Sequence, residues 1–108
     1  MAGTSWDKQG QLEQAFELVA PAIRGAAGEH GLRLQEYFRD DPVWRLSRGE
    51  ASVDVAWDEA RPEEYAVSAL WWEGDKLERQ EAGVFTRDRS PAELQAMIGR
   101  AVAKLPAR

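Results

Sequence analysis

The chain has 108 residues, of which 44% are hydrophobic, and a net charge of −5. These values fit one globular domain, residues 1–108, with its own core. It contains no cysteine, which excludes disulfides, thiol catalysis and cysteine-based zinc or iron–sulfur sites. The negative charge argues against nucleic-acid binding, which draws on clustered lysine and arginine.

Location and origin also follow from composition. The first residues lack the apolar core of a secretory signal, and no apolar run is long enough to span a bilayer. We therefore expect a cytoplasmic protein with no membrane partner. Arginine supplies 11 of the 14 cationic residues, a bias that indicates a GC-rich bacterial genome.

A first helix is predicted from Asp7 to Ala27. Its apolar residues recur at steps of four, three and four, which places them on one stripe: Leu12, Phe16, Val19 and Ile23. Thr4 or Ser5 can cap its start. Pro21 should kink or split the helix because proline lacks an N–H. The run Gly28-Glu29-His30-Gly31 should end it.

From Leu32 onward the hydrophobic period changes to two, which predicts strands. We expect them over residues 32–38, 44–48, 51–58, 65–72 and within 77–86, although the first of these segments also allows a short helix. The connection 59–64 is predicted to be a loop. Glu73-Gly74-Asp75 should form a tight turn, and Gly83 should mark a bulge in the last strand.

The segment Ser90-Pro91-Ala92-Glu93 predicts the start of a second helix, with serine as N-cap, proline first in the helix and glutamate three after the cap. Pro106 should follow its end. The apolar stripe of this helix comprises Leu94, Met97, Ile98, Ala101, Val102 and Leu105. The predicted fold is α+β: an antiparallel β-meander of four to five strands, flanked by an N-terminal and a C-terminal helix packed on one face.

Four of the five tryptophans lie within residues 44–72. Because strand residues alternate between faces, the neighbours Trp71 and Trp72 cannot share one core. Leu70 lies on the same face as Trp72. Together a tryptophan and a leucine offer roughly 300 Å² of apolar surface, on the order of 7 kcal/mol if wholly withdrawn from water. We expect this surface to bind a partner, unless a loop or the chain start, such as Trp6, folds over it.

Few residues suggest catalysis. His30 is the single histidine, and no serine stands in a nucleophile-elbow pattern, so no catalytic triad is expected. Asp54 and Asp58 lie four apart on the polar face of one strand. Paired carboxylates can carry acid–base chemistry, but on a half-exposed sheet their simpler role is to solvate it. No catalytic residue, metal site or cofactor is assigned.

We therefore expect a non-enzymatic domain that acts by protein–protein contact, as a homodimer. Leu70 and Trp72 would supply its apolar anchor, since tryptophan is enriched at binding hot spots. Asp54 and Asp58 would set the polarity of the same or an adjoining surface.

The alternative is a small-ligand-binding or enzymatic domain with an aromatic pocket between the sheet and the helices. Trp44, Trp57 and Tyr65 would line that pocket.

Overall fold

The computed structural model describes residue 17 and residues 19–37, 43–58 and 60–106. One helix precedes five strands and one follows them, which confirms the predicted α+β fold. The strands form one antiparallel sheet in chain order. The elements are α1 (residues 19–30), β1 (Arg33–Tyr37), β2 (Val43–Arg48), β3 (Ala51–Asp58), β4 (Arg61–Glu73), β5 (Lys76–Thr86) and α2 (Pro91–Ala103).

The first helix continues past its predicted end at Ala27. It stops at Gly31, whose φ of 65° suits glycine and reverses the chain. Leu32 N–H donates to the carbonyl of Ala27 at 2.8 Å, and Gly31 N–H donates to that of Gly28 at 3.4 Å. This pair of bonds is a Schellman motif. Gly28 therefore lies within the last turn, and the glycine three residues later ends the helix.

Pro21 does not split α1, because residues 19 and 20 are already helical before it. Val19 and Ile23 are fully buried, as their spacing predicts. The remaining expectations for this helix, including a cap at Thr4 or Ser5, lie outside the described residues.

The predicted loop at 59–64 is wrong over its last four residues, because β4 begins at Arg61. After a register shift beyond Trp57, the last pair between β3 and β4 joins Asp58 to Arg61. Residues 62–64 therefore have no partner in β3, and β4 pairs with β5 from Glu64 onward. Polar residues are tolerated there because that stretch lies beyond the core. The beginning of β4 therefore lacks the alternating hydrophobic residues by which a strand is predicted.

The bulge predicted at Gly83 is present. Val67 pairs with Gly83 and Ser68 with Glu81, so Ala82 is the extra residue. Gly83 has a φ of 154°, and a Cβ added there would lie 3.3 Å from Met97 Sδ. Glycine is required both by this conformation and by the close approach of α2.

The second helix begins where it was predicted to begin, with Pro91 in its first turn and Ser90 extended before it. Ser90 makes no side-chain capping hydrogen bond, so the expected capping box does not form. Glu93 instead pairs with Arg89 at 3.7 Å, and both side chains are about half exposed, so the pair adds little stability. The predicted apolar stripe of α2, Leu94 through Leu105, is buried.

Both helices pack on one face of the sheet, as predicted. Residues of α1, α2 and all strands but β1 contribute to one buried cluster. In β3 the inward side chains are Val53, Val55 and Trp57, none more than 1% exposed. Near the helix ends, Gln95 donates a hydrogen bond to Glu29 at 3.2 Å, which joins α2 to α1.

Candidate functional site

The two adjacent tryptophans of β4 lie on opposite faces of the sheet. Trp71 packs against the core, and its Nε1 donates to Glu73 Oε1 at 3.2 Å. Trp72 is 50% exposed. The predicted alternation is confirmed, and it produces a sheet face with a large aromatic side chain in contact with solvent.

We call the face opposite the helices the open face. In the part of the chain that the structure describes, both helices pack on the other side of the sheet. The open face is formed by alternate residues of all five strands, and its described side chains are Arg33, Gln35, Val43, Arg45, Ser47, Ser52, Asp54, Ala56, Glu64, Ala66, Ser68, Leu70, Trp72, Leu77, Arg79, Glu81, Val84 and Thr86.

One end of the open face is apolar and consists of Leu70, Trp72 and Leu77, which we call the tryptophan end. Trp72 and Leu77 are direct cross-strand neighbours, and they are 50% and 49% exposed. The tryptophan end borders a depression of about 390 Å³, whose opposite wall includes Arg33 and Arg45. A second depression, of about 520 Å³, lies beyond Trp72 toward the β2–β3 turn.

The middle of the open face is polar, and four of its side chains are paired within the chain. Arg45 donates to both carboxylate oxygens of Asp54, at 2.8 and 2.7 Å. Arg79 donates to Ser68 Oγ at 3.5 Å. Ser68 is only 3% exposed and Asp54 9%, because these arginine side chains lie across them. Arg45, Asp54, Ser68, Arg79 and Glu81 are named the polar centre.

The far end of the open face carries small side chains. Ala56 pairs with Ala66, and Ala66 pairs with Val84. This alanine end, defined by those three residues, lines a depression of about 350 Å³. Val84 is 39% exposed, and Arg61, Glu64 and Glu81 also line the depression, so its small apolar side chains are bordered by charged ones.

The structure places the predicted partner-binding residues as follows. Leu70 and Trp72 lie together at the tryptophan end, and Asp54 lies on the same face within the polar centre. The carboxylate of Asp54 accepts two hydrogen bonds from Arg45. Asp54 therefore holds the Arg45 side chain in place and does not present an unpaired charge to a partner. The side chain of Asp58 lies outside the described residues.

The three residues of the alternative aromatic pocket belong to the core. Trp44 and Trp57 are 1% exposed and Tyr65 is fully buried. The rings of Trp44 and Tyr65 have centroids 6.4 Å apart, and those of Tyr65 and Phe85 are 5.8 Å apart. A ligand would have to displace this packing to reach them. The pocket hypothesis stays a prediction.

Tyr65 also marks a polar contact inside the core. Burial raises the pKa of its hydroxyl above the ordinary value of 10.0, while the charge of Arg87 and its hydrogen bond lower it. Burial has the larger effect, so the hydroxyl remains protonated at neutral pH. Arg87 is held near by a backbone bond from its N–H to the carbonyl of Glu63, at 2.8 Å.

The open-face residues that the sequence did not predict include Leu77, Arg79 and Arg45. Each can be found by counting across a hairpin. The turn after Glu73 pairs Trp72 with Leu77 and Leu70 with Arg79. The turn after Arg48 likewise pairs Arg45 with Asp54.

The other residues considered for catalysis or metal binding occupy positions with a structural role. His30 lies at the end of α1 and packs close to Gly99 of α2. Among the residues that the structure describes, no three histidine, aspartate or glutamate side chains are grouped to hold a metal ion. Within those same residues, no helix is long and apolar enough to cross a membrane.

No family model matches this chain, and neither a curated protein nor a solved structure shows significant similarity to it.

Proposed function

We propose that this protein is a non-enzymatic interaction domain that binds protein through the open face of its sheet. The observation that carries the proposal is the pair Trp72 and Leu77. They are direct neighbours on two paired strands, and each is about half exposed on the face that carries no described helix. Clustered apolar side chains with a polar surround are typical of protein-contact surfaces.

The tryptophan end is large enough to anchor a contact. Withdrawing the exposed halves of Trp72 and Leu77 from water would contribute on the order of 3–4 kcal/mol. Tryptophan side chains at the centre of an interface often carry much of the binding energy. Removing Trp72 should therefore weaken binding far more than removing a rim residue.

The polar centre supports the same interpretation. Burial of a polar group is costly when it lacks a partner. Asp54 already accepts two hydrogen bonds from Arg45 within the chain. A partner can therefore cover this pair without leaving the carboxylate unsatisfied, and the fixed arginine offers it a defined shape.

The edges of the sheet are less suited to binding than its face. β5 carries Lys76, Glu78, Arg79 and Glu81 along its length and is interrupted by the bulge at Ala82. Charges and bulges are features that protect an edge strand from pairing with another chain. The opposite edge, β1, has only five residues.

Site-specific photo-cross-linking in the producing cells tests the proposal. A photoreactive phenylalanine analogue, which keeps a large aromatic side chain at the anchor, replaces Trp72 in one variant and Ala96, an exposed residue of α2, in the matched control. We expect a discrete protein adduct from position 72, identified by mass spectrometry of the joined peptides, and none from position 96. Equal labelling from both positions, or no adduct from position 72, would contradict the proposal.

A further inference from the structure

We propose that the partner of the open face is a second copy of this chain, packed face to face around a two-fold axis. In this arrangement the tryptophan end of each copy lies against the alanine end of the other. This inference rests on the proposed function and adds the identity and orientation of the partner.

The two ends of the open face have complementary shapes. Trp72 projects from one end of β4, and Ala66 lies six residues earlier on the same strand and the same face. Six residues of strand span about 20 Å. The alanine end is a depression of about 350 Å³, so a large side chain and a recess for it occur on one surface.

The two-fold axis lies between the two sheets, parallel to their planes and perpendicular to the strands, and it passes over Ala69 of β4. A rotation about this axis reverses the strand direction of the second copy. It sets Trp72 of one copy opposite Ala66 of the other. Because Trp72 pairs with Leu77 and Ala66 with Val84 within each chain, the same operation sets Leu77 opposite Val84 of the second copy. Each apolar contact then occurs twice, as an isologous interface requires.

The charges of β5 fit the same axis. The axis passes the level of Ala69 and its β5 partner Gln80. Arg79, which pairs with Leu70, and Glu81, which pairs with Ser68, therefore lie one residue on either side of the axis. The rotation therefore sets Arg79 of each copy opposite Glu81 of the other. Two reciprocal attractions result, and such charge complementarity fixes the register of an interface.

The charges and hydroxyls of β2 and β3 are compatible with this contact. The rotation sets Arg45 and Asp54 of one copy opposite Ser47 and Ser52 of the other, since the axis passes the level of Val53. Serine hydroxyls can both donate and accept hydrogen bonds. The open face carries three arginines and three carboxylates, those of Asp54, Glu64 and Glu81, and Arg61 borders it at the alanine end. It is thus not acidic, although the whole chain has a net charge of −5.

The open face is wide enough for a dimer. Five strands spaced about 4.8 Å apart, over about six residues each, give a footprint of about 500 Å² per copy. Side-chain relief raises the accessible area toward about 600 Å² per partner, the lower end of specific interfaces. Two sheets packed in this way would form an aligned sandwich with a helix layer on each outside.

The test measures the dimer dissociation constant of the purified chain by sedimentation equilibrium. The wild type is compared with variants in which the charges of β5 are reversed. We expect the wild type to dimerise in the micromolar range. Arg79→Glu and Glu81→Arg should each raise the dissociation constant by about tenfold or more, because symmetry repeats each repulsion. The double reversal should restore it to within about threefold. Arg100→Glu, on the exposed side of α2, is the control with an equal charge change and should have no effect.

Two further variants test the apolar contact. Trp72→Ala and Ala66→Trp should each abolish the dimer, the first by removing the projecting ring and the second by filling its recess. A monomeric wild type, or a dimer indifferent to both the reversals and these variants, overturns the inference. If the wild type is monomeric while position 72 still cross-links to a different protein in cells, the proposed function stands and only the second copy is excluded.

Discussion

The two faces of this sheet use the same residue types for different purposes. On the helix-facing side, Trp57 is 1% exposed within a cluster of aromatic and aliphatic side chains. On the open face, Trp72 is 50% exposed beside Leu77. A tryptophan fully enclosed by its own chain stabilises the fold, whereas one half in water has surface left to bind another molecule. The comparison therefore separates folding residues from contact residues by burial, not by residue type.

Truncating one tryptophan on each face tests whether the two faces differ in their contribution to stability. Trp57→Ala should lower the free energy of unfolding by about 3–5 kcal/mol, because it leaves a cavity in the packed core. Trp72→Ala should cost less than about 1 kcal/mol in dilute solution, since its exposed half contributes nothing to the isolated fold. Urea denaturation of both variants measures the difference. Similar decreases in the free energy of unfolding for the two variants would show that both faces contribute equally to the stability of the fold.

A medium effect is expected from the polar centre. Asp54→Ala should lower the free energy of unfolding by about 1–3 kcal/mol, because it removes two charge-assisted hydrogen bonds from Arg45. A double-mutant cycle with Arg45→Ala isolates the pair, and we expect a coupling energy of about 1–2 kcal/mol. Strictly additive losses would mean that the pair does not stiffen the open face.

The smallest effect concerns Tyr65 on the helix-facing side. Burial raises its folded-state pKa above 10.0, so the proton stabilises the fold fully below that pH. As the pH rises past 10, the unfolded chain loses the proton first and the free energy of unfolding falls, by at most about 1.4 kcal/mol per pH unit.

Tyr65→Phe is the control for this titration, because it removes the ionising group and keeps the ring. Urea denaturation at pH 8 and pH 10.5 should show a larger alkaline loss for the wild type than for Tyr65→Phe. An equal loss in both would show that the hydroxyl is in contact with water, and the contrast between the faces would weaken.

Most of the fold could be predicted from periodicity, because elements that bury one face reveal it in sequence. The stripe of α2 and the alternation of β3 are examples, and both are buried as expected. Prediction failed where burial did not govern structure. The beginning of β4 at Arg61 lies beyond the core, and the Ser90 cap depends on a side-chain rotation that sequence does not encode.

The candidate site was predictable in part. The opposed positions of Trp71 and Trp72 follow from strand geometry alone. The partners of those residues require the register, which depends on the turns. Once the hairpin after Glu73 is placed, Leu77 and Arg79 fall beside Trp72 and Leu70. The alanine end requires Ala66 to pair with Val84, and this pairing depends on the one-residue shift that the extra residue Ala82 introduces. No local sequence pattern specifies the position of that shift.

The chain-order arrangement of the five strands has a consequence for how the molecule assembles. Each strand pairs with the next along the chain, so the sheet can close by successive short loops, at low entropic cost. The contact between Glu29 and Gln95 instead spans 66 positions. We expect hairpins to form early and the two helices to dock on each other late, so that a ribosome-bound chain could complete its sheet before the last helix emerges.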